Sequence, residues 1–560
     1  MTDPSTSGTP RTTGGAGTGD RAKTDRTATR VGLALSGGGF RAAAFHLGVL
    51  KRLEELGVLQ QVEVVSTVSG GSITGALYAL RCAQNGGSGG SCPVDELIAE
   101  MRPFLARNLR ARALLGSPLR ALQTLFSFAS TRVSRIGLMV DELDRQLFHG
   151  AMLEQLPSWI AINATNLRTG KGWRFFRDRA GDSLIGATEK TSHIRIAEAV
   201  AASAAYPGLT DTYAFHTTWE DLKENLISEE RWARPRQSRE RNPNSWRQRF
   251  GRKTGPVIVP LVDGGLYDNE GVNSLRGASV THAIISGVAP PASDSASGFT
   301  PLRYMRIVEV VHDRLGSATR QLAHEMTHGV DPSEARRTAL EAAAALDRIA
   351  SDATMPAALA NDLRQIGSRV GSICAVGMPP RGRQFMASAQ ILLHRTDLTK
   401  NAFRSVPDNP VDVPEECSGL TAELVAELAR VRTDLDALEE DVVDLLIAQG
   451  YFLTDLYVKL AMPELTSAGS KPTDGWYADE LKPTWAPAVD AVAAARARPM
   501  DTKEHLRAAA TRRVLIGRVP DERERDLYVA NVILAAAIAV VAVAVAGAVF
   551  WSALWLLFRR

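Results

Sequence analysis

Val62 to Gly71 reads VEVVSTVSGG, an apolar, β-branched run that ends in Ser69 and two glycines. A nucleophilic serine on a strand-to-helix turn needs small neighbours, because bulky flanks collide with strand and helix while its Oγ must stand clear near the helix N-terminus. Ser69, followed by Gly70 and Gly71, meets that need. Ser66 is followed by Thr67 and Val68 inside the run, and Ser72 lacks a glycine two residues on. Val31 to Phe40, VGLALSGGGF, builds the same kind of corner with three consecutive glycines, Gly37, Gly38 and Gly39. Backbone N–H groups freed of Cβ atoms at a helix start suit a phosphate or an oxyanion. GGGFRA also fits the dinucleotide fingerprint G-x-G-x-x-G/A. That reading asks for an acid at the end of the second strand, where this chain has Thr67, Val68 and Ser69, with Glu63 at the opposite end. No P-loop pattern occurs. A nucleophile at Ser69 requires a base, and VIVPLVDGGLYDNEG (Val257 to Gly271) offers Asp263 at the end of a strand-like run before Gly264 and Gly265.

These residues need a scaffold that brings them to one edge. Val31–Leu35 reads as a buried strand, Arg41–Gly57 as a helix closed by glycine, Val62–Val68 as a second strand and Ile73–Cys82 as the start of a second helix. Strand, helix, strand, helix at this spacing is a βαβ unit, which implies a parallel sheet with ligands at the strand ends. Further strands are expected at Trp159–Asn163, Val257–Val262 and His282–Val288. Helical patterns follow at Ser333–Ile366 and Ala422–Gln449.

The segments LALSGGGFRAAAFHLGVLKRLEE, TVSGGS, INATNLRTGKGWRF, AVAASAAYPGL and VDGGLYDNEGV, in this order, resemble the successive motifs of patatin-like phospholipases. The resemblance covers about residues 30 to 290 clearly, and extends more weakly through ILLHRTDL and LLIAQGYFLTDLYV. It implies an α/β fold, a parallel-sheet three-layer core with helical C-terminal additions. It also implies a catalytic dyad of Ser69 and Asp263, an oxyanion hole at Gly37, Gly38 and Gly39, and support of the nucleophile turn by Gly70 and Gly71. Neither metal nor other cofactor is required. Arg41 matches the arginine after the glycines, where it either steadies that loop or meets a substrate phosphate. His46 matches a family position one turn into the helix, where a satisfied core histidine is expected. One departure stands out: the family's G-x-S-x-G turn has Thr67 in place of its first glycine. The implied activity is cleavage of ester bonds in membrane phospholipids or related lipids. A lysophospholipase or thioesterase would use the same chemistry, and a non-enzymatic scaffold with this fold is the competing reading.

The 560 residues carry a net charge of +3, too small to suggest nucleic acid. Four cysteines lack zinc-site spacing, and a Cys82–Cys92 bridge is the one disulfide considered. Residues 1–29 have almost nothing to bury and read as a disordered, untargeted tail. The hydrolase domain is expected over 30–465, with a basic insertion at about 218–256 and a helical part at about 300–465, and 466–526 as a connector. Within the insertion, Arg231–Lys253 holds eight arginines and a lysine against Glu240, a composition suited to an anionic lipid surface. From Val529 to Phe558 no charge occurs, so residues 527–558 are expected to form a C-terminal transmembrane helix. Arg512, Arg513, Arg518, Arg523 and Arg525 precede it and Arg559 and Arg560 follow. That bias predicts a single-pass tail anchor with a cytoplasmic catalytic domain. Self-association through small residues of that helix would follow. The expected partners are membrane lipids, as substrate and surface.

Overall fold

Strands covered by helices on both faces read as continuous apolar runs, and the chain's first two runs become the centre of the sheet. The computed structural model describes residues 29–86, 92–127, 134–207, 210–223, 253–278, 280–288, 387–393, 419–432, 435–466, 484–510 and 522–558, with isolated positions elsewhere. The strands are β1 Val31–Leu35, β2 Val62–Val68, β3 Ile160–Asn166, β4 Lys171–Phe175 and β5 Ala180–Asp182. They continue with β6 Gly186–Thr188, β7 Tyr213–Thr218, β8 Pro256–Asp263, β9 His282–Gly287 and β10 Ala387–Leu392. The helices are α1 Gly39–Glu55, α2 Gly70–Gln84, α3 Val94–Leu105, α4 Leu109–Leu115, α5 Pro118–Ser127, α6 Arg135–Leu143 and α7 Ile196–Ser203. After these come α8 Gly265–Asp268, α9 Val272–Gly277, α10 Ala422–Leu428, α11 Glu440–Ala461, α12 Ala486–Ala497, α13 Pro499–Ala510 and α14 Glu522–Phe558.

The sheet runs β10-β9-β1-β2-β3-β4-β5-β6, with β8 also on β3 and β7 on β8. β10, β9, β1, β2 and β3 are parallel; every remaining pairing is antiparallel. The α/β core with helical additions is therefore as expected, but the sheet is mixed. The antiparallel edge escapes an apolar-run reading because β5 and β6 are three-residue strands, Ala-Gly-Asp and Gly-Ala-Thr. Alternation along β1 divides the core: Leu33 and Leu35 point into the large cluster beneath α1 and α2, Ala34 into a small one with Val272 and Leu275.

β3 works as a ruler for two strands at once. β2 pairs beside it from Val65↔Ile160 to Val68↔Asn163, and β8 takes over from the opposite direction with Asp263↔Ala164. The residue after β2 and the last residue of β8 thus fall at neighbouring positions on one edge.

The long C-terminal helix α11 lies against α1. Arg52 on α1 donates to Asp455 from Nε at 2.7 Å, and Lys459 also reaches that carboxylate at 2.8 Å. Two helices occupy 486–510, α12 against α11 and α13 against α10. Cys82 and Cys92 are buried free thiols rather than a bridge, and Cys92 Sγ donates to Tyr78 O at 3.7 Å. The residues of the expected helix at Ser333–Ile366 lie almost wholly outside the described residues, as do Cys374, Cys417, the N-terminal tail and the basic segment up to Arg252.

The expectation of a C-terminal transmembrane helix is corrected. Residues 522–558 are helical, yet among the described residues no helix is long and apolar enough to cross a membrane. The fully described charge-free stretch, Leu527–Val541, has 15 residues, against the roughly 20 a span needs. Its start is also seated on the domain: Glu524 pairs with Arg112 at 3.1 Å and Asn531 Nδ2 donates to Leu115 O at 2.9 Å. Tyr528, Asn531 and Ala535 are buried. The single-pass tail anchor, the cytoplasmic placement derived from it and self-association through that helix are withdrawn with it.

Candidate active site

Ser69 is the N-cap of α2 and holds φ 50°, ψ −117°, a region costly for a residue with a Cβ and typical of a strained nucleophile turn. The turn is held by backbone contact between the two serine corners. A Cβ at Gly70 would collide with Gly39 O, and one at Gly71 with Leu35 O and Ser36 O. Gly71 N–H donates to Ser36 O at 3.1 Å, tying one corner to the other.

Asp263 ends β8 and is buried. Its carboxylate accepts from Gly265 N–H at 2.8 Å, and the Ser69 hydroxyl lies near enough to favour its charged form. Burial pushes this carboxyl up to about 6, and the Ser69 hydroxyl and the Gly265 N–H pull the other way. Nucleophile and base candidates therefore meet. They also share a support that the sequence reading did not single out. At the end of α7, Ser203 Oγ accepts Ser69 N–H at 2.8 Å, Ser203 O accepts Gly264 N–H at 3.1 Å, and Ala205 O accepts Asp263 N–H at 2.9 Å. The signal was present in the AVAASAAYPGL segment, but no residue in it looks reactive.

The three glycines divide their work. Gly37 N–H donates to Asn269 O at 3.0 Å, so it is committed to the loop that follows Asp263. Gly38 and Gly39, with φ 139° and 56°, stand at the N-terminus of α1, and among the described residues neither amide has a hydrogen-bond partner. A Cβ at Gly37 would collide with Asn269 Oδ1 and come within 3.3 Å of Ser69 Cβ, which places this loop directly against the serine.

Arg41 is engaged by backbone carbonyls. Its guanidinium is buried and donates to the carbonyls of Ala429, Val431 at 2.8 Å and Val288 at 2.6 Å. It clasps the start of α1 to the end of β9 and to the chain after α10. His46 is likewise structural. It is wholly buried, and burial lowers its pKa to about 4, so the ring is neutral. Nε2 donates to Ser36 O at 3.0 Å, and Nδ1 accepts from Ser286 Oγ at 2.9 Å.

Thr67 finds room because the facing helix gives it. A Cβ at Gly75 of α2 would collide with Thr67 Cγ2, so the glycine missing from the strand is matched by one on the helix. The Thr67 hydroxyl donates to Ala161 O at 3.1 Å and meets Ser72 Oγ at 3.0 Å.

Fold and site thus define an α/β protein with a strained strand-to-helix serine, a buried carboxyl beside its hydroxyl and two glycine amides that have no partner among the described residues. Residues 33–276 match the family model described as patatin-like phospholipase; the chain carries a domain of that family. No curated protein matches the chain. Among solved structures, human GIVD cytosolic phospholipase A2 is similar at 16% identity, covering 50% of this chain and 47% of that one, with a TM-score of 0.31. Its complex with methyl gamma-linolenyl fluorophosphonate matches at 18% identity over 46% and 40%, with a TM-score of 0.28. VipD from Legionella pneumophila matches at 12% over 85% and 91%, with a TM-score of 0.22. The chain spans less than half the length of the human structures it matches.

Proposed function

We propose that this protein is a serine acyl hydrolase that cleaves ester bonds of membrane phospholipids or related lipids at a lipid surface, using Ser69 and Asp263. The observation that carries the reading is the buried Asp263 carboxyl beside the hydroxyl of Ser69, which itself stands on a turn at φ 50°. Family membership of residues 33–276 supports the substrate class. Asp263 accepts the Ser69 proton as Oγ attacks the ester carbonyl. The amides of Gly38 and Gly39 take the charge that develops on the carbonyl oxygen, helped by the α1 N-terminus. The alcohol leaves with the proton held by Asp263, and the acyl group stays on Ser69. Water, deprotonated by Asp263, then releases the fatty acid and regenerates the serine. A base poised near pH 6 suits both half-reactions at neutral pH, since it is ionised yet still basic.

Thr67 in the nucleophile turn speaks for the non-enzymatic scaffold, and the space that Gly75 leaves for its methyl weighs against that alternative. Labelling with a fluorophosphonate probe followed by mapping of the modified residue tests the reading. Modification of Ser69, absent in Asp263→Asn, is expected; a folded protein that no probe labels, and that hydrolyses none of a broad ester panel, would overturn it.

A further inference from the structure

We propose that Asn269 is a further catalytic residue of the Ser69 site, whose side-chain N–H₂ completes the oxyanion hole as its third donor. The inference rests on the Ser69 reading above and concerns what else meets the ester carbonyl. Three glycines stand at that corner, but Gly37 has no amide to give, because its N–H is spent on Asn269 O at 3.0 Å. The residue that takes this donor brings another.

The Asn269 carboxamide lies where a Cβ of Gly37 would be. Such an atom would collide with Oδ1, and would stand 3.5 Å from Cγ and 3.3 Å from Ser69 Cβ. Gly37 is glycine so that this side chain can enter between the loop and the serine. Asn269 is only 3% exposed, and its Oδ1 is buried without a hydrogen-bond partner. Among the described residues no group hydrogen-bonds its Nδ2 either. Buried carboxamides are normally paired, because a bond left unmade costs free energy. A side chain kept in this state beside a strained serine points to a partner that arrives with the substrate.

The backbone beneath it is fixed from both sides. Asp268 accepts from Gly271 N–H at 3.0 Å and from Asn273 N–H at 2.7 Å, and Ser66 Oγ on β2 donates to Gly271 O at 2.7 Å. Asn269 is thus carried by the segment that follows Asp263 and docked on the strand that delivers Ser69. That is the pre-organisation an oxyanion donor needs.

The chemistry selects which end of the carboxamide serves. A half-turn about the Cβ–Cγ bond exchanges Oδ1 and Nδ2, and only the N–H₂ end donates to negative charge. As Ser69 Oγ bonds to the carbonyl carbon, the π pair moves onto the carbonyl oxygen. Nδ2 donates a hydrogen bond to that oxygen and transfers no proton, so it acts beside the Gly38 and Gly39 amides.

The experiment measures kcat and KM on a dispersed short-chain ester together with the melting temperature. Asn269→Leu keeps the approximate volume, removes the N–H₂ and leaves the backbone carbonyl that holds Gly37. A lost oxyanion donor costs about 10²–10³-fold in kcat, with KM little changed because the bond is made only in the transition state. The melting temperature should hold or rise, since the departing carboxamide makes no hydrogen bond in the resting protein and an apolar group replaces it. Asn269→Asp keeps the shape and sets a carboxylate against the oxyanion, so its kcat should fall at least as far. A packing residue would instead lower the melting temperature along with the rate. Parental kcat in Asn269→Leu, or a rise in KM at constant kcat, overturns the inference, and so does a slow Asn269→Leu that melts well below the parent. If Asn269→Leu does not fold, Asn269→Asp decides by the same criteria; failure of both to fold assigns Asn269 to the frame and overturns the inference too. A parent protein that a fluorophosphonate does not label at Ser69 overturns the reading beneath it instead.

Discussion

Ser36 and Ser69 each follow a buried parallel strand, precede glycines and stand before a helix, yet their oxygens meet different surroundings. Ser36 Oγ donates to Gly37 O at 3.1 Å and accepts from Val288 N–H at 3.3 Å, both backbone groups. Ser69 Oγ meets a carboxylate whose basicity burial has raised. The backbones differ as well, since only Ser69 is held at positive φ. A Ser-Gly-Gly corner alone is thus a frame, and the partner brought by a distant strand decides its chemistry. In the first corner the Gly38 and Gly39 amides are left without a partner among the described residues, and the serine is packing.

The sharpest way to break the comparison is to remove the partner. Ser69→Ala and Asp263→Asn should each lower ester hydrolysis by about 10⁴-fold or more, and the double variant by no more than the worse single, because the two act as a unit. Steady-state rates on a dispersed short-chain ester check this, with folding followed by circular dichroism. Clear additivity would mean that they act in separate steps.

Next comes the first corner's own contribution. Gly38→Ala forces a Cβ to 2.5 Å from Val288 Cγ2 at φ 139°, so the loop must shift and its amides with it. Loss of an oxyanion donor costs about 10²–10³ in kcat, with KM little changed because that contact matures only in the transition state. A rise in KM at constant kcat would assign the loop to substrate binding.

The pH profile sharpens the second corner. In the proposed mechanism Asp263 must be ionised to act as a base, and its folded pKa is raised from 3.8 to about 6. Activity should be flat above that value and fall about tenfold per pH unit below it. Because the shift is upward, the loss begins two units earlier than for an exposed aspartate. A break in kcat/KM near pH 4 would show that the base is not this buried carboxyl.

Much of this geometry is legible in the sequence, for reasons that particular residues make plain. β1 and β9 stand out because buried strands are apolar throughout, β2 and β8 because their runs are largely β-branched and apolar, and the glycine turns because close backbone approach admits no Cβ. Arg41 is harder, since its acceptors at 288, 429 and 431 lie hundreds of residues away and are backbone carbonyls, which carry no side-chain signature. Ser203 is hidden among alanines, and Thr67 looks like a defect until Gly75 is seen opposite it. The C-terminal stretch misleads because composition records apolarity, not that Asn531 is seated on Leu115 O. What a sequence shows best is local; the partners that give a residue its role are chosen by the fold.

The smallest expected effect is the control that separates the corners. Ser36→Ala removes a hydroxyl whose two contacts are long, at 3.1 and 3.3 Å. A net hydrogen bond of this kind contributes about 1 kcal/mol, and leaving the buried Val288 amide without its acceptor adds to the cost, for a total of about 1–2 kcal/mol by urea denaturation. Its strand is fixed independently, because Ser36 N–H donates to Ser286 O and Ser36 O accepts from Gly71 N–H and His46. None of those bonds involves the hydroxyl, so the glycine amides should stay in place. Probe labelling of Ser69 should therefore persist in Ser36→Ala, slowed by no more than about threefold, the equivalent of half a hydrogen bond. The opposite outcome, with labelling abolished in Ser36→Ala and kept in Ser69→Ala, would exchange the roles of the two corners and place the nucleophile at the end of β1.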